Sequence, residues 1–154
     1  MDSVGNRQAS PAISVVIPTK NRHGFLRKAV ASVLEQSLLP LEIIVVDDGE
    51  GAANAVAGLS DLIRVLDNRQ RGPVPARNLG VAAARGEAIA FLDDDDWLSG
   101  RDHLQMAAEA IADDADFTFS DGTMVFEDGS PDEPFAFDAD AVSLEANNTI
   151  LISA

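Results

Sequence analysis

Three segments of this chain are apolar almost without interruption: Ile13-Ser-Val-Val-Ile17, Glu42-Ile-Ile-Val-Val46 and Ala88-Ile-Ala-Phe-Leu92. Side chains of a strand point alternately to its two faces, so a run that is apolar at consecutive positions needs cover on both. A shorter strand is expected at Ile63-Arg-Val-Leu66. Helical patterns lie between them. Leu26, Ala29, Val30, Val33 and Leu34 recur at helical spacing, with Arg27, Lys28, Glu35 and Gln36 opposite. A short alanine-rich helix is expected near Ala52–Leu59. Another carries Ala76, Leu79 and Ala83, with Pro75 in its first turn and Gly86 as its stop. A further helix spans about Asp102–Ala112, followed by a strand at Phe117–Ser120. Doubly apolar strands alternating with helices specify an α/β fold, a mostly parallel sheet with helices on both faces. Beyond Asp121 the pattern is broken by Gly122, Gly129, Pro131 and Pro134, with Met124-Val-Phe126 as one more short strand.

The 154 residues suit one domain, read as residues 12–154 behind a flexible polar tail at 1–11. The net charge of −15 is unevenly placed. Up to Leu92 there are nine acidic and ten basic residues; from Asp93 onward there are seventeen acidic residues against Arg101 alone. So acidic a second part repels nucleic acid and anionic membranes, while a small anion can still approach the first part. The absence of cysteine excludes disulfides and thiolate metal sites. No apolar run approaches the length of a membrane span, and the N-terminus has no hydrophobic signal core, so a cytoplasmic protein is expected.

In parallel sheets ligands bind beyond the carboxyl ends of the strands, near the point where strand order reverses. Thr19-Lys20-Asn21, Asp47-Asp48-Gly49 and Asp93–Asp96 all follow strands at that edge. If the chain stays extended past Leu92, Asp93 and Asp95 point one way and Asp94 the other. Two carboxylates about 6 Å apart repel by roughly 3 kcal/mol at a dielectric of about 20, which a hard cation such as Mg²⁺ or Mn²⁺ would relieve. Asp47 and Asp48 suit a base imide, a ribose hydroxyl, or simply an Asp-Gly turn. Arg77, at a helix start, can meet base, ribose or phosphate, or pair with Asp47, Asp48 or the Asp93–Asp96 run. Asn78 suits a local cap or bridge. Trp97 suits a cover for a sugar or base, or core packing. His23 and His103 suit helix-start or surface positions.

Two other likenesses are shallow. Asp121-Gly122-Thr123 resembles part of the haloacid dehalogenase nucleophile segment, but Phe119 replaces the aspartate that chemistry needs. Val45-Val-Asp-Asp48, with Asp67 after the third strand, resembles a response-regulator receiver that lacks its lysine and its first acidic pair. There is no Gly-x-x-x-x-Gly-Lys phosphate loop.

Four blocks in order carry a closer resemblance: Ile13-Ser-Val-Val-Ile-Pro-Thr-Lys-Asn-Arg22, Glu42-Ile-Ile-Val-Val-Asp-Asp-Gly49, Gly72-Pro-Val-Pro-Ala-Arg-Asn-Leu-Gly80 and Ala84-Arg-Gly-Glu-Ala-Ile-Ala-Phe-Leu-Asp-Asp-Asp-Asp-Trp97. Together they resemble the N-terminal signature of family 2 glycosyltransferases, inverting enzymes of GT-A fold. The resemblance implies an NDP-sugar donor, with UDP the expected nucleotide, lying across the strand ends. It implies that Pro18, Thr19 and Arg22 line the nucleotide, Asp47 or Asp48 holds base or ribose, and Arg77 flanks the base. Asp93-Asp94-Asp95 matches the family's Asp-x-Asp motif. Asp94 then belongs with the donor, Asp95 with the metal, Asp93 with ribose or metal, and Asp96 supports them. The implied cofactor is Mn²⁺ or Mg²⁺; the implied acceptor is a saccharide, lipid-linked sugar or protein. Glu50-Gly51-Ala52 departs from the family's usual Ser-Thr-Asp. The family's acceptor segment and general base lie beyond Ile150-Leu-Ile-Ser-Ala154, so the expectation is of a donor-binding half whose base is unknown. No residue from Asp121 to Ala154 matches that base closely, and Asp121, Asp138 and Asp140 are named for the role only as guesses. The alternative is a non-catalytic nucleotide-sugar-binding or scaffold module.

Overall fold

The computed structural model describes residues 10–136 and 151–153. Its elements run β1 (Ile13–Thr19), α1 (His23–Leu34), β2 (Glu42–Asp47), α2 (Ala52–Val56), β3 (Ile63–Asp67), α3 (Pro73–Ala83), β4 (Ala88–Phe91), α4 (His103–Ala112), β5 (Phe117–Thr118), β6 (Gly122–Met124), β7 (Glu133–Phe135) and β8 (Leu151–Ser153). The main sheet has the order β3-β2-β1-β4-β8-β5. Its first four strands are parallel, whereas β8 runs antiparallel to both β4 and β5. Strands β6 and β7 form a separate antiparallel pair. The sequence did not announce β7 or β8, and the strand expected at Met124–Phe126 lies at Gly122–Met124. A receiver has the order 2-1-3-4-5, so the observed 3-2-1-4 removes that alternative.

Alternation along each strand divides the core into two layers. Ile13, Val15 and Ile17 of β1, Ile43 and Val45 of β2, and Ala88 and Ala90 of β4 pack with Leu26, Val30 and Val33 of α1, Val56 of α2 and Leu104 of α4. The intervening Val16, Ile44, Val46 and Ile89 pack on the other face around Ala76 of α3. This is the double cover that the uninterrupted apolar runs require. Chain direction reverses its sideways progress at β1, where β2 and β3 lie to one side and β4 to the other. The switch point therefore falls between the ends of β1 and β4.

Gly86 is not the stop of α3, which ends at Ala83 with Ala84 as its C-cap. Its role is close approach: a Cβ there would stand 2.6 Å from Ser14 N and 2.7 Å from Ala12 O. Both are backbone atoms of β1 and its lead-in, and neither can turn aside. Gly86→Ala is therefore expected to destabilise the fold by about 2 kcal/mol through overpacking, read as a lower urea midpoint with unchanged slope.

At the opposite end of the sheet from the switch point, Glu42 is fully buried although charged. Ser14 Oγ donates to it at 3.0 Å, Arg64 Nη1 at 2.5 Å, and the Arg85 backbone amide at 2.8 Å. Burial pushes the Glu42 carboxyl up, but the donors from Arg64, Arg85 and Ser14 outweigh it and bring the pKa down to about 2.

Candidate functional site

Strand β4 ends at Phe91, and the chain turns at once, with the Asp96 amide donating to the Asp93 carbonyl at 3.1 Å. The extended alternation expected through Asp95 is thus replaced by a turn, because residues from β1 and α3 draw the carboxylates apart. Asp94 is buried, and Thr19 Oγ1 at the end of β1 donates to its Oδ2 at 2.7 Å. Asp93 pairs with Arg77 Nη2 at 2.6 Å. Asp95 pairs with Arg22 Nη1, and Arg22 Nε lies 3.4 Å from Asp94 Oδ1. The hydrogen bond to Asp95 raises the Arg22 pKa further, against the opposing effect of burial. Asp96 lacks such help: burial, then the charges of Asp93, Asp95 and Asp94, push its carboxyl up. Three of the four neighbouring acids, Asp93, Asp94 and Asp95, are thus held by two guanidinium groups and one hydroxyl from other parts of the chain.

The pair after β2 works differently. Both oxygens of Asp47 accept backbone amides, from Gly49 at 2.8 Å and Ala52 at 3.0 Å. Asp47 thereby builds the turn into α2, the Asp-Gly reading of this motif. Asp48 Oδ1 accepts from Asn68 Nδ2 at 2.7 Å and from the Gly72 amide at 2.6 Å, and its Oδ2 faces Lys20 Nζ at 3.2 Å. Gly72 can aim its amide there because its φ of +103° is open to glycine and strained for other residues. Burial raises the Asp48 pKa, but Gly72, Lys20 and Asn68 together hold it below the usual carboxylate value.

A shallow cleft of about 280 Å³ opens beside Asp48, lined by Lys20, Asn21, Gly49, Glu50 and Arg71. Arg71, with φ of +57°, donates to the carbonyls of Asp48 and Gly49. Sequence reasoning missed Asn68 and Arg71, which lie in an aperiodic loop after β3. The one available signal was the run of polar residues Asp67-Asn68-Arg69-Gln70-Arg71 at the same sheet edge. Pro18 is half-buried within β1, next to Thr19.

The remaining candidates lie at the margins. Trp97 is half-buried, with Lys28 Nζ 3.4 Å above its ring, so the indole face meets a cation from α1. His23 starts α1, and its Nε2 lies 2.7 Å from the Glu50 carbonyl, tying the helix to the loop after β2. His103 starts α4, where burial lowers its pKa. Asn78 is exposed on α3. Asp121 is described and exposed, whereas Asp138 and Asp140 lie outside the described residues.

Carboxylate oxygens are hard donors that suit Mg²⁺ or Mn²⁺. Among the described residues no three His, Cys, Asp or Glu side chains form a metal-holding group. Two carboxylates are enough where a substrate diphosphate and water complete the shell, the usual manner of holding Mg²⁺. Asp93 and Asp95, half-buried and exposed respectively, have the donor chemistry for that role, although each is paired here with an arginine. Arg77 Nε is buried without a hydrogen-bond partner among the described residues, a donor left unspent beside them.

A family model described as glycosyl transferase family 2 matches residues 14–138. A Campylobacter jejuni GalNAc(5)-diNAcBac-PP-undecaprenol beta-1,3-glucosyltransferase is 40% identical over 95 residues, 57% of this chain and 31% of that protein. TarS 1-349 from S. aureus in complex with UDP-GlcNAc superposes with a TM-score of 0.61 at 26% identity, covering 69% of this chain and 33% of TarS 1-349. The mannosyltransferase PcManGT from Pyrobaculum calidifontis, in complex with GDP-Man and Mn²⁺, gives a TM-score of 0.58 at 27% identity, covering 69% and 33%. The chain spans 30–42% of the length of the first curated relatives it matches. No described helix is long and apolar enough to cross a membrane.

Proposed function

The chain belongs to glycosyl transferase family 2, and from that premise we propose that it binds an NDP-sugar, UDP-linked, for transfer with inversion to an acceptor hydroxyl. The observation that carries this reading is the convergence of Thr19, Arg22, Arg77 and the Asp93–Asp96 turn at the switch point between β1 and β4. That is where a doubly wound sheet offers its crevice to a nucleotide. The named complexes of TarS and PcManGT with UDP-GlcNAc and GDP-Man support the same substrate class.

In this reading the base and ribose lie by the cleft beside Asp48, whose carboxylate is held charged and fixed by Gly72, Lys20 and Asn68. Asp47 shapes the loop that forms the cleft's wall. Pro18 and Thr19 form the floor at the end of β1. Arg77 orients Asp93 and keeps its Nε–H for a ligand oxygen. Asp95 and Asp93 would hold Mn²⁺ or Mg²⁺, which when bound neutralises the departing diphosphate. Asp94 is buried against Thr19 and acts by fixing the turn that carries the other two. The general base that would take the acceptor's proton is unassigned.

Calorimetric titration of UDP, with GDP and dTDP beside it, tests the proposal in the presence and absence of Mn²⁺. Binding of UDP is expected to need Mn²⁺ and to weaken at least tenfold in Asp95→Ala. Equal binding with and without metal would remove the cation from the reading, and no binding of any nucleotide by the folded chain would overturn the donor site.

A further inference from the structure

Arg22 occupies the place where the acidic turn needs a positive charge. It is the N-cap residue of α1, preceded by Asn21, whose backbone takes a φ of +57°. The Asn21 side-chain oxygen accepts the Glu50 amide at 3.0 Å, which anchors the bend. From that bend the Arg22 side chain crosses to the turn after β4 and contacts both Asp94 and Asp95.

The two guanidinium groups at this turn are not equivalent. The Arg77–Asp93 pair is mostly covered, at 20% and 28% side-chain exposure, whereas the Arg22–Asp95 pair is half open, at 50% and 48%. A half-exposed ion pair contributes little to stability, so Arg22 can leave Asp95 at small cost. A diphosphate offers a guanidinium a better partner, since its oxygens match the planar fork two at a time.

We propose that Arg22 is a resident counter-cation that competes with the divalent cation for Asp95, and that it yields this carboxylate when a diphosphate draws it away. The inference rests on the reading of Asp95 as a metal ligand. In the nucleotide-free chain Arg22 weakens metal binding, both by engaging the ligand oxygen and by placing a positive charge beside the cation. In the loaded site the same side chain clamps the diphosphate. The first role opposes the metal and the second favours the donor, so one substitution moves the two affinities in opposite directions.

Binding of Mn²⁺ alone to the full chain, followed by the paramagnetic resonance signal of free Mn²⁺, tests the first role. Arg22→Gln is expected to bind Mn²⁺ about tenfold more tightly than the parent chain. In an Asp95→Asn background Arg22→Gln should give a smaller gain, because only the charge beside the cation is then removed. In saturating Mn²⁺, UDP should bind Arg22→Gln about tenfold more weakly. A circular-dichroism melt establishes that the variant is folded; if it is not, Arg22→Lys carries the test, with intermediate Mn²⁺ affinity expected. Parent chain and folded variant binding Mn²⁺ equally, or the variant more weakly, would overturn the inference while leaving Asp95 as a ligand. Absence of Mn²⁺ binding in both, with and without UDP, would overturn the metal reading and this inference with it.

Discussion

Glu42→Ala is expected to lower the unfolding free energy by about 3 kcal/mol, the low end of what removing one partner of a buried ion pair costs. The low end applies because Arg64 and Arg85 are partly open, at 38% and 63% side-chain exposure, and can regain water once Glu42 is gone. What they cannot regain is the acceptor shared by Ser14 Oγ and the Arg85 amide, which joins β1, β2 and the lead into β4. The effect has a defined pH signature. The folded-state pKa of about 2 lies below the ordinary 4.5, so the stabilisation is complete above about pH 4.5 and is lost as pH falls toward 2. Urea titrations of parent and variant should differ most at pH 7 and converge near pH 2. A difference below 1 kcal/mol at neutral pH would show that desolvating Glu42 already cancels its ion pairs.

Asp94→Ala is expected to weaken metal-dependent nucleotide binding by at least about a hundredfold, although Asp94 itself is buried. Its carboxylate is the acceptor for Thr19 Oγ1 and lies beside Arg22 Nε, so truncation frees the turn from β1 and releases one anchor of Arg22. Losing a buried charged hydrogen bond costs about 1.5–3 kcal/mol, and the Thr19 hydroxyl is left without its acceptor. Asp93 and Asp95 then hang from a loop that must be ordered each time a ligand binds. Thr19→Val removes the same hydrogen bond but leaves the Asp94–Arg22 contact, and should lose about a tenth as much affinity. Comparing UDP titrations of the two variants in Mn²⁺ is the check. Affinity preserved in a folded Asp94→Ala chain would mean that the turn holds its shape without its buried member.

The parts of the fold legible in the sequence are those where burial is repeated at every position. Ile43–Val46 and Val15–Ile17 have no polar face, and only a doubly covered parallel strand accepts that pattern. Strands of two or three residues, such as β5, β6, β7 and β8, are too short for any period to show. In the site, the position of the acidic run was legible but its shape was not. Local alternation placed Asp93 and Asp95 together, whereas Thr19, Arg22 and Arg77, 75, 73 and 16 residues distant from their partners, decide where each carboxylate goes. Nothing local marks Glu42 as a buried charge, because its neutralising arginines come from the next strand and from the loop before β4. The Asp47 turn was visible as Asp-Gly, but nothing local distinguishes its backbone role from the outward cleft position of Asp48.

The pairing of β4 with β1 is also expected to set the order in which the site comes into being. Strands β1, β2 and β3 with α1 and α2 close through contacts between neighbours in the chain, whereas β4 joins β1 across 75 residues. Contacts of long sequence separation form late, since their loop entropy is spent before they return anything. Every carboxylate of the acidic turn rides on that last parallel strand. Under the proposed donor reading, nucleotide affinity is therefore expected to report the docking of β4 on β1, because the acidic turn is in place only once that pairing has formed.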